Sequence, residues 1–225
     1  RGIMAPKSNC LYRLRLSALA VCAAMQLSAA SWSCAAEAGP RVLDLTYPFD
    51  DRTQVWPSNP PFHRDSTQRG GTATEAWYAT GQVALSEHAG THMDAPIHFA
   101  QGQVGIDGIP VEQLMGPAVV IDVRAATAVD RDYRLSMNDI RRWEASHGTI
   151  PAGAIVMMLT GWGAYWHDRE RYFGSATPER ATTLHFPGFS QEAAELLVKE
   201  RHISGIGIDT ASIDYGPSQD FVVHR

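Results

Sequence analysis

The residues most able to do chemistry stand together in one run, H-A-G-T-H-M-D-A-P-I-H, which covers residues 88–98. His88 and His92 are four residues apart, and Asp94 follows two residues later. Neutral imidazoles and a carboxylate are good ligands for Zn²⁺ or Mn²⁺. The run therefore predicts a divalent metal site. A histidine-rich surface loop without a metal is the alternative interpretation.

The backbone of this run is expected to form a turn or a tight loop, because Gly90 and Pro96 disfavour a regular helix. In an extended stretch His92 and Asp94 point the same way, since side-chain direction alternates with period two. His98 then returns towards the same side. A metal lowers the pKa of its bound water to about 7, and a neighbouring imidazole can take or deliver the second proton. We therefore interpret His98 as a general base beside a metal-bound hydroxide.

The elements that position this run are predicted from hydrophobic patterns. Apolar runs of strand length indicate three buried strands, alternation indicates two further extended segments, and two amphipathic stretches with serine caps indicate helices. One α/β domain of mixed α+β character, with a central mixed β-sheet and flanking helices, is the simplest account. The buried strands are 117–123, 154–160 and 205–209, the extended segments 41–46 and 72–85, the helices 136–147 and 190–202, and a short turn 109–114.

The composition favours an ordinary globular domain. The chain has 225 residues, of which 44% are hydrophobic and 19% charged, and its formal net charge is −5. The sequence contains no lysine- or arginine-rich run, which argues against a nucleic-acid partner. It also contains no Gly-x-Ser-x-Gly elbow and no phosphate-binding loop, so a serine hydrolase and a nucleotide-dependent enzyme are disfavoured.

The N-terminal region has the features of a secretory signal peptide. Lys7, Arg13 and Arg15 form a positive region, and the apolar stretch that follows, 16–30, is short for a membrane span. The tripeptide A-E-A at 36–38 is typical of a cleavage site. A buried N-terminal helix and a lipid-anchored cysteine are the alternatives.

We therefore interpret residues 1–38 as signal peptide and upstream sequence. The mature domain, 39–225, is expected to be secreted or periplasmic and free of the membrane after cleavage. Its metal must be held by histidines and carboxylates, because every cysteine precedes the cleavage point: Cys10, Cys22 and Cys34.

The run 88–98 resembles the H-x-G-T-H-x-D-x-P-x-H-F signature of the cyclase family, which includes bacterial kynurenine formamidases and isatin hydrolases. All eight fixed positions of that signature match. Further blocks of the chain look like other recurrent blocks of the family, in the same order: 43–46, 55–57, 160–162, 184–188, 207–214 and 223–225. The resemblance covers roughly 42–225 and implies the family's swivelling β/β/α-like fold.

The resemblance also implies roles for single residues. His88, His92 and Asp94 would hold the metal, zinc or manganese as one or two ions, and His98 would be the acid–base residue. In two-metal members a distant histidine and a glutamate twelve residues later complete a second site. That histidine falls on His224, and the glutamate would fall beyond the last residue. The resemblance therefore leads us to expect a C-terminally truncated domain.

The activity implied is hydrolysis of a small aromatic amide, either a linear formamide like N-formylkynurenine or a cyclic amide like isatin. A homodimer or higher homo-oligomer is expected. An exported metal- or ligand-binding module without catalysis, and a lyase or cyclase with the same metal site, are the alternatives. Four residues are candidates for substrate contact, with core packing, a structural hydrogen bond or a turn as the alternative for each: Trp56, Trp162, His185 and Ser212.

Overall fold

The structure is a computed structural model that describes residues 42–71 and 76–225. The chain divides into two compact units between Leu45 and Thr46. Residues 42–45 of the first unit are exposed and lack regular secondary structure. The signal peptide predicted at 1–38 lies outside the described residues. Among those that are described, no helix has the length and apolar character needed to cross a bilayer.

A three-stranded parallel sheet forms the centre of the second unit, in the order β3-β5-β7. Its strands are Ala118–Asp122 (β3), Ile155–Leu159 (β5) and Gly205–Ile208 (β7). All three predicted buried strands are thus confirmed, each shorter than its apolar run. In β3 only alternate side chains are buried, and Val120 is 45% exposed, so one face of the sheet carries the core.

The mixed α/β class is confirmed, but the strand directions are distributed differently from the prediction. Parallel and antiparallel pairs occur in separate sheets rather than in one mixed sheet. An antiparallel hairpin joins His63–Gly70 (β1) to Tyr78–Ala84 (β2), and a short parallel pair joins Arg134–Leu135 (β4) to Gly188–Phe189 (β6).

Two predicted extended segments need correction. Residues 42–46 belong to no strand, because alternation of residue types does not supply the neighbouring strand whose hydrogen bonds a β-strand requires. The segment 72–85 is a strand only over Tyr78–Ala84, and residues 72–75 lie outside the described part of the chain. The strand β1 was not predicted from the sequence.

Two amphipathic helices cover the buried face of the parallel sheet. The α-helices of the described residues are Arg124–Thr127 (α1), Met137–His147 (α2), Arg169–Phe173 (α3) and Gln191–Lys199 (α4). Ser136 and Ser190 cap α2 and α4, as predicted. The helix predicted at 190–202 ends earlier, because the chain turns at His202, where φ is +50°. The shared core contains Val119, Ile121, Leu135, Ile140, Ile150, Val156, Met158, Phe189 and Leu197.

The N-terminus of α2 depends on one buried carboxylate. Oδ2 of Asp139 accepts hydrogen bonds from the Tyr133 hydroxyl at 2.7 Å, from the Ser136 N–H at 2.8 Å and from the Ser136 hydroxyl at 2.7 Å. The Ser136 hydroxyl in turn accepts from the Asp139 N–H, which completes a capping box. This carboxylate fixes where α2 begins.

Replacing Asp139 with asparagine is expected to lower the free energy of unfolding by about 2 kcal/mol at neutral pH. Burial disfavours the Asp139 charge, but hydrogen bonds from Ser136 and Tyr133 and the charge of Arg142 outweigh burial and hold its pKa below the ordinary 3.8. A lowered folded-state pKa contributes stability above the unfolded-state pKa, and that stability is lost as pH falls through the folded-state pKa. In urea unfolding, the difference between wild type and variant should therefore shrink below about pH 4. A difference independent of pH would contradict this role.

Candidate metal centre

The chain leaves β2 and folds into the irregular loop that carries the histidine run. Ala89 forms an antiparallel bridge with Val55, and the Gly90 N–H donates to the Gln54 carbonyl at 2.8 Å. Gly90 has φ of +62°, and a Cβ there would lie 3.0 Å from the Phe49 ring, so both conformation and space require glycine. The loop ends in a 3-10 turn at Pro96–His98. The predicted absence of a regular helix is confirmed.

Three side chains of the run place one donor atom each around a common point. Nδ1 of His88 lies 3.3 Å from Nε2 of His92 and 2.8 Å from Oδ1 of Asp94. Nε2 of His92 lies 3.3 Å from the same oxygen. Donor atoms bound to one zinc ion at about 2.0–2.1 Å in tetrahedral geometry are about 3.3 Å apart, so the three atoms fit a shared divalent ion.

The orientation of His92 also suits a ligand. Its Nδ1 lies 2.9 Å from the Gly90 carbonyl oxygen, which can only accept a hydrogen bond. In the neutral imidazole Nδ1 therefore carries the proton, and Nε2, which faces His88 and Asp94, is the atom with the lone pair that a metal needs. A backbone carbonyl that fixes the far nitrogen in this way is the usual support of a metal-binding imidazole.

A second group of imidazoles lies at the other carboxylate oxygen. Nε2 of His98 is 4.0 Å and Nε2 of His224 is 3.8 Å from Oδ2 of Asp94. The structure thus brings His224 to the run although it comes from the far end of the sequence. Asp94, His98 and His224 form a second group able to hold a cation, and it shares Asp94 with the first group.

The charges within this cluster shift three pKa values. Burial opposes the charge of Asp94, but the hydrogen bond to His92 and the nearby His92, His88 and His98 lower its pKa to about 2. The hydrogen bond with Asp94 raises the pKa of His92. Burial lowers the pKa of His98; attraction by Asp94 opposes this, and the other imidazoles reinforce it. His98 is therefore a neutral imidazole at neutral pH, the form in which it can accept a proton.

The predicted substrate contacts Trp56 and Trp162 differ in position. Trp56 is half-buried, and its ring centroid lies 6.2 Å from that of Phe221. Trp162 is only 7% exposed, lies in an aromatic core cluster, and donates its indole N–H to the Tyr172 carbonyl at 2.8 Å. Its contacts are those of a core residue and match the alternative of core packing. Contact of Trp56 with a substrate stays a prediction.

The hydrogen bonds of His185 and Ser212 are made away from the ligand cluster. Nδ1 of His185 lies 2.8 Å from Oδ2 of Asp132, and the Ser212 hydroxyl accepts from the Asp214 N–H at 3.2 Å. The structure gives both side chains structural partners, which matches the alternative stated for each. Their role as substrate contacts has no support from these hydrogen bonds.

Two aromatic residues and one carboxylate beside the cluster were not singled out from the sequence. The Phe99 ring lies 4.6 Å from the His224 ring and 5.4 Å from the Phe221 ring. Phe221 has φ of +50°, which is uncommon for a bulky side chain. Asp214 holds the His224 ring. Phe99 and Asp214 fall inside the matched sequence blocks, whereas nothing in the sequence indicated the backbone conformation of Phe221.

A mixed α/β domain with a histidine–carboxylate site able to bind a divalent metal is the class that fold and geometry define. The chain belongs to the family described as putative cyclase, whose sequence pattern matches residues 43–215.

Two curated relatives carry named activities. An isatin hydrolase of Roseibium aggregatum is 35% identical over 144 residues, which cover 62% of this chain and 53% of that protein. A kynurenine formamidase of Salinibacter ruber is 33% identical over 184 residues, which cover 82% of this chain and 76% of that protein. The match therefore spans about half the length of the first relative and three quarters of the second.

Solved structures of isatin hydrolases have the same fold. An isatin hydrolase A from Ralstonia solanacearum superposes with a TM-score of 0.71 at 29% identity, covering 97% of this chain and 79% of that one. An isatin hydrolase bound to the product analogue thioisatinate gives a TM-score of 0.72 at 29% identity, covering 93% of this chain and 80% of that one.

Proposed function

We propose that this protein is a metal-dependent hydrolase of an amide bond attached to an aromatic ring. The observation that carries the proposal is the position of Asp94, whose Oδ1 faces His88 and His92 and whose Oδ2 faces His98 and His224. One carboxylate thus stands between a ligand group and an imidazole of lowered pKa. This arrangement suits hydrolysis better than metal storage, which has no need of a base.

The residues divide the work as follows. His88, His92 and Asp94 would hold Zn²⁺ or Mn²⁺. Bound there, a divalent ion polarises a carbonyl group and lowers the pKa of water to about 7. His98 accepts a proton at Nε2 and returns it to the departing nitrogen, and its neutral form at neutral pH prepares it for the first of these steps.

We further propose a cyclic aryl amide of the isatin type as substrate, with a linear aryl formamide of the N-formylkynurenine type as the alternative. The isatin hydrolase of Roseibium aggregatum has the higher identity of the two relatives, and isatin hydrolases are among the similar solved structures. The aromatic side chains of Phe99 and Phe221 beside His224 suit a flat aromatic ring.

The test is hydrolysis by purified protein before and after removal of its metal. We expect protein treated with a chelator to lose all turnover of isatin and N-formylkynurenine, and added Mn²⁺ or Zn²⁺ to restore it, with isatin opened faster. The rate of ring opening is measured by spectrophotometry, and the metal content of the same samples is determined.

Three results would contradict the proposal. Full activity in metal-free protein would show that the reaction does not require a metal. Stoichiometric metal without hydrolysis of any aryl amide or formamide would favour the non-catalytic binding module. Conversion of a substrate without uptake of water would favour the lyase or cyclase.

A further inference from the structure

A buried carboxylate, Asp214, lies behind His224 on the side away from Asp94. Its side chain is 2% exposed, and four groups donate to it. Oδ2 accepts from the His224 N–H at 3.2 Å and lies 2.6 Å from Nδ1 of the same residue. Oδ1 accepts from the Val223 N–H at 3.1 Å and from the Ser218 hydroxyl at 3.3 Å. The Asp214 carboxylate therefore holds Ser218, Val223 and His224 together by hydrogen bonds.

This arrangement determines which nitrogen of His224 carries the proton. Four donors converge on two oxygens, so the carboxylate acts only as an acceptor, and Nδ1 of His224 must be the donor at 2.6 Å. In the neutral imidazole Nε2 then holds the lone pair. That atom is the one that lies 3.8 Å from Oδ2 of Asp94.

His98 occupies the neighbouring position without any comparable restraint. Its Nε2 lies 4.0 Å from Oδ2 of Asp94, too far for a hydrogen bond. Within the described part of the chain, the His98 ring has ring–ring contacts with His88, Phe99 and His224 but no hydrogen-bond partner. No hydrogen bond within the described residues therefore fixes the tautomer of His98, whereas the bond to Asp214 fixes that of His224.

We propose that Asp214 is a positioning residue that locks His224 in the Nδ1-protonated form and thereby reserves its Nε2 as a cation ligand. A cation bound at that lone pair would leave the proton-transfer role to His98. This inference rests on the metal-binding part of the proposed function and not on the hydrolysis. It extends that function by assigning two imidazoles beside one carboxylate to different tasks according to the partners of their far nitrogens.

The first experiment reads the tautomer directly. Ring ¹⁵N shifts of metal-free protein at mildly alkaline pH distinguish Nδ1–H from Nε2–H, and we expect His224 to be Nδ1–H. In Asp214→Asn an amide NH₂ group replaces one oxygen, so a donor now faces a donor, and the Nδ1–H population should fall. An Nε2–H form in the wild type, or no change in the variant, would overturn the proposal. The wild-type result stands even if the variant does not fold.

The second experiment measures the affinity for Zn²⁺ by competition with a chromogenic chelator. We expect Asp214→Asn to weaken binding about 10–100-fold, the effect typical of a group that orients a ligand. If Asp214 acts through His224, this loss should vanish when Asp214→Asn is added to His224→Ala. An equal loss in both backgrounds would mean that Asp214 acts on the fold alone, and would overturn the proposal.

Asp139→Asn is the matched control. Asp139 is a carboxylate of similar burial, 7% exposed, and it accepts several hydrogen bonds without touching any histidine of the metal centre. The Asp139→Asn variant should be less stable than the wild type but should bind Zn²⁺ with the same affinity. Because both measurements are made without substrate, a failure to hydrolyse amides would contradict the proposed function and leave this inference standing.

Discussion

Replacement of Asp94 with alanine is expected to abolish both metal binding and hydrolysis. The carboxylate supplies one oxygen to the group with His88 and His92 and faces His98 and His224 with the other. Its pKa of about 2 keeps it negatively charged at neutral pH. Without it, His88, His92 and His98 would lose the carboxylate that they face, and a cation would lose an anionic ligand.

The expected loss of affinity exceeds about 100-fold, since even a residue that only orients a ligand contributes 10–100-fold. Competition titration with Zn²⁺ makes the measurement. Asp122→Ala is a suitable control, because Asp122 is a half-exposed carboxylate paired with Arg124. The affinity of this variant for Zn²⁺ should equal that of the wild type. Near-normal affinity in Asp94→Ala would show that the metal is not held at this cluster.

Replacement of His98 with alanine is expected to leave the metal in place and to remove turnover. His98 is not part of the group of His88, His92 and Asp94, and its lowered pKa makes it a neutral base at neutral pH. Loss of a positioned proton acceptor costs about 10²–10⁴-fold in rate. The rate loss should appear in kcat, with metal content unchanged.

Two comparisons make the His98 result decisive. His88→Ala should lose both metal and turnover, whereas His63→Ala should lose neither, because the His63 side chain is exposed and pairs with Asp65. If His98→Ala loses its metal as His88→Ala does, then His98 is a ligand and the base must be sought elsewhere. If it keeps a wild-type rate, the role assigned to His98 is wrong.

The part of the site that is local in sequence could be predicted, because its geometry is local too. His88, His92 and Asp94 lie within one loop whose shape Gly90 and Pro96 restrict, so the types and spacing of the residues determined which side chains meet. The three parallel strands were equally predictable, since each is a short apolar run. The exposure of alternate residues in these strands, such as Val120, could not be predicted. A continuous apolar run does not reveal that one face of a sheet is exposed.

Other roles could not be assigned from the sequence, because they depend on partners that are distant along the chain. Trp162 follows a strand between two glycines, a pattern that fits a pocket and a core equally well until the carbonyl of Tyr172 is seen to accept its N–H. In the sequence, Asp214 was only one residue of the matched block 207–214, without an assigned role. Its function became apparent when the hydrogen bonds to Val223 and His224 were known.

The origin of the ligands in two distant segments also bears on how the protein folds. The loop with His88, His92 and Asp94 consists of neighbouring residues, whereas the three strands of the parallel sheet lie between this loop and His224 in the sequence. Contacts of such large sequence separation carry a high loop-closure entropy and form slowly. We therefore expect the two parts of the metal centre to form at different times during folding. The 88–98 loop should form early, and the approach of His224 to Asp94 should be among the last events.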